Sequence, residues 1–388
     1  MRKKLIKEML NDSFWIMPAT PDFINEGIPY ITSKNIKKGQ ILMESAKYIS
    51  EEDYNRIAKN RPIETNDILI SMIGTLGEAA IVKSEYGDFY GQNVYLLRLN
   101  DKKISHKYFL YLMKSSTAKR HFESKMNQST QKYLKADHIE SLEIPDISLN
   151  EQNEEAEILD KLNSIIIYRE EQLNELDNLI KSRFVEMFGD PVYNPFGWKT
   201  KPFLECGSCK NGMNFGAGEV GVELQYLGVG DFKSLTKIED VTKLGQVCLN
   251  KVPSEEYMLR NGDIVFVRSN GNKALVGRCL AVYPNGIPTT YSGFCVRYRK
   301  TDESLEIPYL LQVLKTESMR LMMAGRGANI QNLNQQILGQ LQIPMPPNDL
   351  QREFGQFIEQ VDNLRVEVQK SLNETQLLFD SLMQKYYE

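Results

Sequence analysis

Residues 157–187 read EILDKLNSIIIYREEQLNELDNLIKSRFVEM, and residues 356–386 read QFIEQVDNLRVEVQKSLNETQLLFDSLMQKY. In both stretches apolar residues recur at alternating intervals of three and four, and the positions correspond at an offset of 199 residues. This is the spacing of a coiled-coil seam, so it predicts two long helices. The predicted seam consists of Leu159, Leu162, Ile166, Leu173, Leu176, Ile180, Ile358, Val361, Val368, Leu372, Phe379 and Leu382.

Polar residues interrupt this seam at different places in the two copies. Arg169 and Arg183 interrupt the first helix, whereas Arg365 and Thr375 interrupt the second. Each helix is therefore a better partner for a complementary sequence than for a copy of itself, and we expect the two helices to pair antiparallel within the chain. The alternative is that each amphipathic helix lies on its own globular domain.

The rest of the chain is duplicated as well. Residues 28–31 and 66–70 recur at 224–227 and 262–266, at an offset of 196, and residues 142–145 recur at 341–344. Each copy is therefore a globular part followed by a helix. The predicted domain boundaries are 1–147 and 195–346 for the globular parts, and 148–190 and 347–388 for the helices.

The globular parts have the mixed pattern of an α+β fold. Short β-rich runs at 67–72, 94–99, 263–267 and 294–298 are separated by glycine and asparagine turns, which predicts strands. Helical stretches are predicted at 108–126 and 308–323. We therefore expect two tandem α+β domains and two spacer helices that are related by a pseudo-twofold axis.

The charge is unevenly distributed along the 388 residues. The net charge of −4 is the sum of +3 over residues 1–147, −7 over 148–198, +4 over 199–346 and −4 over 347–388. The basic globular parts could approach phosphates favourably, and the acidic helices could not. The sequence contains no apolar run long enough to span a membrane and no secretory signal, so we expect a cytoplasmic protein.

The sequence offers no duplicated active site. All three histidines lie in the first copy and all five cysteines lie in the second, so neither residue type can serve a function that both copies share. The pair Cys206 and Cys209 has zinc-like spacing but no second pair to complete a site. Residues 216–221 fit the dinucleotide-binding pattern G-x-G-x-x-G, but no apolar strand precedes them, which favours an ordinary loop. We therefore predict neither catalytic nor metal-binding residues.

Polar residues in glycine-rich loops recur in both globular parts. Amide, hydroxyl and basic side chains hydrogen-bond base edges and phosphates, although they also occur in plain surface turns. The predicted DNA-binding residues of the first copy are Lys34, Asn35, Lys37, Lys38, Gln92, Asn93, Gln128, Gln131 and Lys132. Those of the second copy are Arg268, Asn270, Asn272, Lys273, Tyr291, Arg326, Asn329, Gln331 and Asn332.

Over essentially its whole length the chain resembles the specificity subunit of type I restriction-modification systems. A glutamine-containing loop runs into Leu-x-Ile-Pro and then into a glutamine near the start of a helix, as Gln131, 142–145 and Gln152, and again as Gln331, 341–344 and Gln351. The strands at 66–70 and 262–266 and the tryptophan at Trp198 also fit.

The resemblance implies a non-catalytic subunit. Such a protein reads a bipartite, gapped target in double-stranded DNA, each recognition domain reading one half while the helices set the gap. It holds two methyltransferase subunits, to which two restriction subunits can add. The complex is an adenine methyltransferase and ATP-dependent endonuclease, and S-adenosylmethionine, ATP and magnesium belong to the partner subunits. The alternative function is a non-catalytic coiled-coil adaptor without direct DNA readout.

Overall fold

A computed structural model describes residues 2–73, 77–127, 133–216, 218–232, 237–324 and 332–388. The chain forms two compact units: unit 1 contains residues 1–170 and 369–388, and unit 2 contains residues 171–368. The units therefore cut across the four predicted segments, because each long helix contributes one part to each unit.

Unit 1 combines short strands with helices. Its strands are β1 (Lys3–Leu5), β2 (Leu10–Ile16), β3 (Ile28–Thr32), β4 (Ile36–Lys37), β5 (Gln40–Ile41), β6 (Lys47–Ile49), β7 (Ile68–Ser71), β8 (Ala79–Ile81), β9 (Tyr90–Gln92), β10 (Val94–Leu99) and β11 (Glu143–Pro145). Its helices are α1 (Glu51–Ala58), α2 (His106–Lys114), α3 (Ser116–Asn127), α4 (Ala136–Glu140), the first part of α5 (Leu149–Phe188) and the end of α9 (Asn348–Tyr387).

Unit 2 has a similar order of elements. Its strands are β12 (Thr200–Pro202), β13 (Gly207–Asn211), β14 (Val222–Leu227), β15 (Lys237–Ile238), β16 (Gly245–Leu249), β17 (Asp263–Val267), β18 (Cys279–Val282), β19 (Thr289–Tyr291), β20 (Cys295–Lys300) and β21 (Gln342–Pro344). Its helices are the end of α5, α6 (Ile307–Lys315), α7 (Glu317–Ala324), α8 (Gln335–Gly339) and the first part of α9 (Asn348–Tyr387). The order differs in that the described residues between β16 and β17 form no α-helix, where unit 1 has α1.

The sheets of the two units correspond strand by strand. The order β2-β10-β7-β8 in unit 1 matches β13-β20-β17-β18 in unit 2, where β15 extends the edge. The order β6-β3-β9 likewise matches β16-β14-β19, and each of these sheets contains one parallel pair. The Leu-x-Ile-Pro motifs form β11 and β21, which pair antiparallel with β1 and β12. The α+β class and the tandem duplication are thus confirmed.

The prediction of one continuous helix at 108–126 and another at 308–323 is wrong in one respect, because each stretch is divided into two helices. The chain leaves the helical conformation at Ser115 and Thr316, whose ψ angles are 156° and 148°. The Ser115 hydroxyl then accepts a hydrogen bond from the Ala118 N–H at 3.1 Å, and the Thr316 hydroxyl accepts one from the Met319 N–H at 3.4 Å. Both residues therefore act as N-caps for the next helix.

Helix α5 has defined signals at both ends. Ser148 and Glu151 form a reciprocal capping box: the Ser148 N–H donates to the Glu151 carboxylate at 2.8 Å, and the Glu151 N–H donates to the Ser148 hydroxyl at 3.2 Å. Gly189, with φ of +74°, follows the last helical residue. A left-handed residue at this position is the usual helix C-cap, and glycine adopts it without strain.

Each unit contains the start of one long helix beside the end of the other. In unit 1, Leu159 of α5 shares a core with Met383 and Tyr387 of α9. In unit 2, the rings of Phe184 of α5 and Phe354 of α9 lie 5.5 Å apart. This order of contacts is that of antiparallel helices, and all twelve predicted seam residues are buried or half-buried.

A glutamine near the start of each long helix joins that helix to its globular domain. The Gln351 side chain is fully buried, accepts the Glu306 N–H at 2.9 Å and donates to the carbonyls of Ser304 and Pro346. Gln152 makes the corresponding three bonds with Ser105, Lys103 and Ile147. These glutamines of the sequence motif are thus structural residues.

Candidate nucleic-acid interface

Three loop segments of unit 2 meet at the end of strand β17. The Arg268 N–H donates to the carbonyl of Phe294 at 2.8 Å, and the Arg268 carbonyl accepts the Leu333 N–H at 2.8 Å. The hairpin loop after β17, the turn before β20 and the segment before α8 therefore lie side by side. We call this group of loops the unit 2 face, and define it as residues 268–277, 292–294 and 332–333.

The hairpin loop of this face is ordered by its own asparagines. The side-chain oxygen of Asn270 accepts the Asn272 N–H at 2.7 Å, and the side-chain oxygen of Asn272 accepts the Ala274 N–H at 3.1 Å. Asn272 and Lys273 are exposed, as is Asn332, whereas Arg268 and Asn270 are half-buried. The structure brings these five residues of the predicted set together, and their contact with DNA stays a prediction.

Tyr291 does not belong to the exposed part of this face. Its ring is fully buried, and its hydroxyl donates to the Lys210 carbonyl at 3.2 Å. Burial raises the pKa of Tyr291 to about 12. The prediction that Tyr291 contacts DNA is therefore corrected: this tyrosine anchors the turn that carries the neighbouring residues.

Unit 1 assembles an equivalent group of loops. The Asn93 N–H donates to the Ile16 carbonyl at 2.9 Å, and the Ser33 hydroxyl donates to the Asn93 carbonyl. The Leu134 N–H donates to the Met72 carbonyl at 3.2 Å. The segments that follow β2, β3, β7 and β9 thus meet at one end of the unit. We call this group of loops the unit 1 face, and define it as residues 17, 33–38, 72–73, 92–93 and 134.

The basic residues of the unit 1 face point to solvent. Lys34, Lys37 and Lys38 are exposed, and the Lys38 N–H donates to the Glu78 carboxylate at 3.0 Å. Gln92 is half-buried and accepts the Tyr30 hydroxyl at 3.4 Å. Asn93 is also half-buried and adopts a positive φ of 61°, which asparagine tolerates better than most residues.

Asn35 is a structural residue of this loop. Its side chain is buried, accepts the Thr32 N–H at 2.9 Å and donates to the Leu42 carbonyl at 3.1 Å. Asp231, which lies 196 residues later, makes the same bond to the Gly228 N–H at 2.8 Å. The prediction that Asn35 contacts DNA is corrected, because its amide is used inside the domain.

The polar loops at 32–38 and 268–273 are not equivalent in the two units. The loop at 268–273 joins β17 to β18, so its counterpart in unit 1 is the connection between β7 and β8 and not the loop at 32–38. The counterpart of residues 32–35 is 228–231. Both faces still combine several loops at the same end of corresponding sheets.

Sequence reasoning overlooked three apolar side chains at these faces. Met17 and Ile73 follow strands β2 and β7 of unit 1, and Phe294 precedes β20 of unit 2; all three are exposed. Single apolar residues beside strands read as core positions, so the sequence contains no signal that would have marked them. Gln128, Gln131, Lys132, Arg326, Asn329 and Gln331 lie outside the described residues.

The described residues contain no group of histidine, cysteine, aspartate or glutamate that could hold a metal ion. All five cysteines are free thiols, and burial raises the pKa of Cys209 to about 12, which disfavours the thiolate that binds zinc. None of the helices in the described ranges is long and apolar enough to cross a membrane.

Relatives of this chain are found by sequence and by structure. The chain is 24% identical to the StySPI specificity subunit of a type I restriction enzyme from Salmonella potsdam over 387 residues, covering 93% of this chain and 81% of that protein. It is 22% identical to the putative MjaX specificity subunit of a type I restriction enzyme from Methanocaldococcus jannaschii, covering 90% and 83%.

Two solved structures share the fold. One is a chain from a study of complex assembly and conformational transition of the type I restriction-modification system, with a TM-score of 0.63, 16% identity, and coverage of 99% of this chain and 97% of that chain. The other is the type I S subunit from M. genitalium, with a TM-score of 0.55, 16% identity, and coverage of 100% and 96%. The family described as type I restriction modification DNA specificity domain matches residues 17–178 and 228–375. Because these two matches cover most of both repeats, this chain belongs to the family of type I restriction-modification DNA specificity domains.

Proposed function

We propose that this chain is the DNA sequence-recognition subunit of a type I restriction-modification complex. The observation that carries the proposal is the repeated gathering of polar loops at one end of corresponding sheets, on the basic part of each repeat. In this proposal each face reads one half of a bipartite, gapped target, and the chain itself performs no catalysis.

The two faces carry different side chains, so the two half-sequences should differ. The unit 1 face combines three exposed lysines with Gln92 and Asn93, whereas the unit 2 face combines Arg268 and Lys273 with three asparagines. Arginine and lysine suit guanine, and asparagine suits adenine, when they reach the major-groove edge of a base pair. The target is therefore asymmetric, not palindromic.

In this proposal the length of the long helices determines the gap between the two half-sites. Each helix has 40 residues and is about 60 Å long at about 1.5 Å per residue. The acidic charge of the helices makes them unsuited to DNA, and they expose apolar side chains that suit protein partners. These exposed side chains include Ile158, Ile165, Leu179, Leu364, Val366 and Leu377.

The partners in this proposal are two methyltransferase subunits docked on the helices, to which two restriction subunits can add. S-adenosylmethionine, ATP and magnesium would bind to those subunits, which perform adenine methylation and ATP-dependent cleavage. This division of labour accounts for a chain whose repeats share binding loops but no catalytic side chains.

The proposal is tested by mapping methylated bases across the genome of the source cell with and without this gene. We expect one gapped, asymmetric methylated motif to disappear with the gene. As a second measurement, the purified complex with its methyltransferase should bind that motif with an affinity that falls as salt is raised. A complex that binds partners at all salt concentrations but shows no preference for any DNA would instead establish the adaptor function.

A further inference from the structure

The turn between β19 and β20 in unit 2 carries an aromatic residue that unit 1 lacks. In unit 1 only Asn93 separates β9 from β10, whereas Ser292, Gly293 and Phe294 separate β19 from β20. The side chain of Phe294 is 58% exposed, although the flanking residues Tyr291 and Cys295 are fully buried. The longer turn thus places one aromatic ring in solvent at the unit 2 face.

The backbone of this turn is firmly held. The Phe294 carbonyl accepts the N–H groups of Arg268 and Ser269 at 2.8 and 3.3 Å, and the Phe294 N–H donates to the Ser292 hydroxyl at 3.2 Å. Gly293 packs so tightly that a Cβ at this position would lie 2.1 Å from the side-chain oxygen of Asn214. Since the backbone is ordered before any ligand binds, only the Phe294 side chain would lose conformational entropy on binding.

The surroundings of Phe294 indicate which ligand group it would contact. It lies beside Arg268 in a face that also exposes Asn272, Lys273 and Asn332, whose side chains suit phosphates and base edges. The 5-methyl group of thymine is the apolar feature on the major-groove edge of a base pair, and phenylalanine is one of the residues that contact it. An apolar aromatic ring beside these polar groups fits a thymine methyl group better than it fits a phosphate.

We propose that Phe294 contacts the 5-methyl group of one thymine in the half-site that unit 2 reads, and so determines specificity at that base pair. This inference rests on the proposed function. Because the counterpart turn of unit 1 has no such residue, we place this contact in the half-site that unit 2 reads.

The test uses the complex of the full chain with its methyltransferase and synthetic duplexes of the mapped target. Each thymine is replaced in turn by deoxyuridine, which removes only the methyl group, and the dissociation constant is measured. With the natural chain we expect one replacement in one half-site to weaken binding about fourfold, the value of one buried methyl group. With Phe294→Ala, that replacement should have no effect, and the effects of replacements elsewhere should be unchanged.

Phe294→Leu and Phe196→Ala are the matched variants. Leucine keeps an apolar contact and should retain part of the discrimination between thymine and uracil. Phe196 is 54% exposed in the connection between α5 and β12, and its loss should leave the discrimination intact. The inference would be overturned if the Phe294→Ala complex still bound the thymine duplex more tightly than the deoxyuridine duplex by the same factor. It would also be overturned if no deoxyuridine replacement weakened binding by the natural complex. A natural complex without preference for the gapped target would overturn the proposed function instead.

Discussion

Arg299 forms a bidentate ion pair with Asp263, with its Nε and Nη2 atoms 2.8 and 2.7 Å from the two carboxylate oxygens. The carboxylate is buried and also accepts the Arg260 N–H at 2.7 Å, while Nη2 donates to the Met258 carbonyl at 2.9 Å. Arg98 and Asp67 repeat this arrangement in unit 1. The pair therefore fixes the start of the central strand to the loop before it in both units.

We expect Asp263→Asn to lower the free energy of unfolding of unit 2 by about 3 kcal/mol, because it leaves the half-buried Arg299 without a counter-charge. Urea denaturation measures this change. As a control, Glu255→Gln removes a partner of Arg260 in an exposed pair and should cost less than about 1 kcal/mol. If the two variants lost the same free energy of unfolding, burial of the Asp263 carboxylate would not be the cause of the larger expected loss.

Arg297 has an unusual environment for an arginine. It is 4% exposed, its Nη2 donates to the Glu256 carbonyl at 3.1 Å, and its Nε and Nη1 have no hydrogen-bond partner among the described residues. The corresponding position on β10 of unit 1 is Leu96, which is fully buried in an apolar core.

We expect Arg297→Met to raise the free energy of unfolding of unit 2 by about 1–3 kcal/mol, because an apolar side chain of similar length removes two unsatisfied donors. Arg299→Met is the control and should lower the free energy of unfolding, since it leaves the buried Asp263 carboxylate without its counter-charge. Destabilisation by Arg297→Met would show that the guanidinium contributes more than its one hydrogen bond.

Glu155 should make the stability of unit 1 depend on pH. Burial and, to a smaller extent, the nearby Glu151 raise the pKa of Glu155 to about 7, while Lys385 opposes the shift. One oxygen of this carboxyl is buried without a hydrogen-bond partner among the described residues. The folded state therefore binds the proton more tightly than the unfolded state, and unfolding becomes more costly as the pH falls from about 7 towards 4.5.

We expect Glu155→Gln, which mimics the protonated acid, to have a higher melting temperature than the natural chain at pH 8. The difference should shrink as the pH falls below 7 and vanish near pH 4.5. Thermal unfolding followed by circular dichroism at several pH values measures this dependence. Glu157→Gln, at an exposed position of the same helix, should show a much smaller change with pH. A Glu155→Gln difference that is constant across this range would disprove the effect.

The length of the helices should set the gap in the DNA target. Insertion of one heptad into residues 159–187 and of a matching heptad into 358–386 lengthens each helix by about 10.5 Å. This length corresponds to about three base pairs. Mapping of methylated bases should then show a longer gap between unchanged half-sequences. An unchanged gap would contradict this role, and insertion into one helix alone should disrupt the pairing.

The helices and the central strands could be predicted because their signals are local. The spacing of Leu159, Leu162 and Ile166 reports the buried side of a helix directly. The breaks at Ser115 and Thr316 were missed although both residues are good N-caps, because apolar periodicity continues across them. The pairing of β1 with β11 joins residues about 140 positions apart and has no local signal.

The sequence predicts which polar loops form the candidate site, but not which of their side chains are exposed to solvent. Asn35 and Lys34 are neighbours in one polar loop, yet only the lysine reaches solvent, because the asparagine amide closes the loop from inside. Phe294 shows the reverse case, since its side chain is of a type that usually lies in a hydrophobic core, yet it is exposed to solvent. Which side of a loop faces solvent is decided by long-range packing that the sequence of the loop does not contain.

The division of the long helices between the units has a consequence for biosynthesis. The core of unit 1 includes Tyr108, whose ring lies 4.8 Å from that of Tyr387, and the ribosome makes these two residues with all of unit 2 between them. Unit 2 is continuous in sequence and can complete its core first. During translation the core of unit 1 therefore stays incomplete, with its apolar side chains exposed, until residues 369–388 have been made. A chaperone that covers these side chains would protect the nascent chain from aggregation.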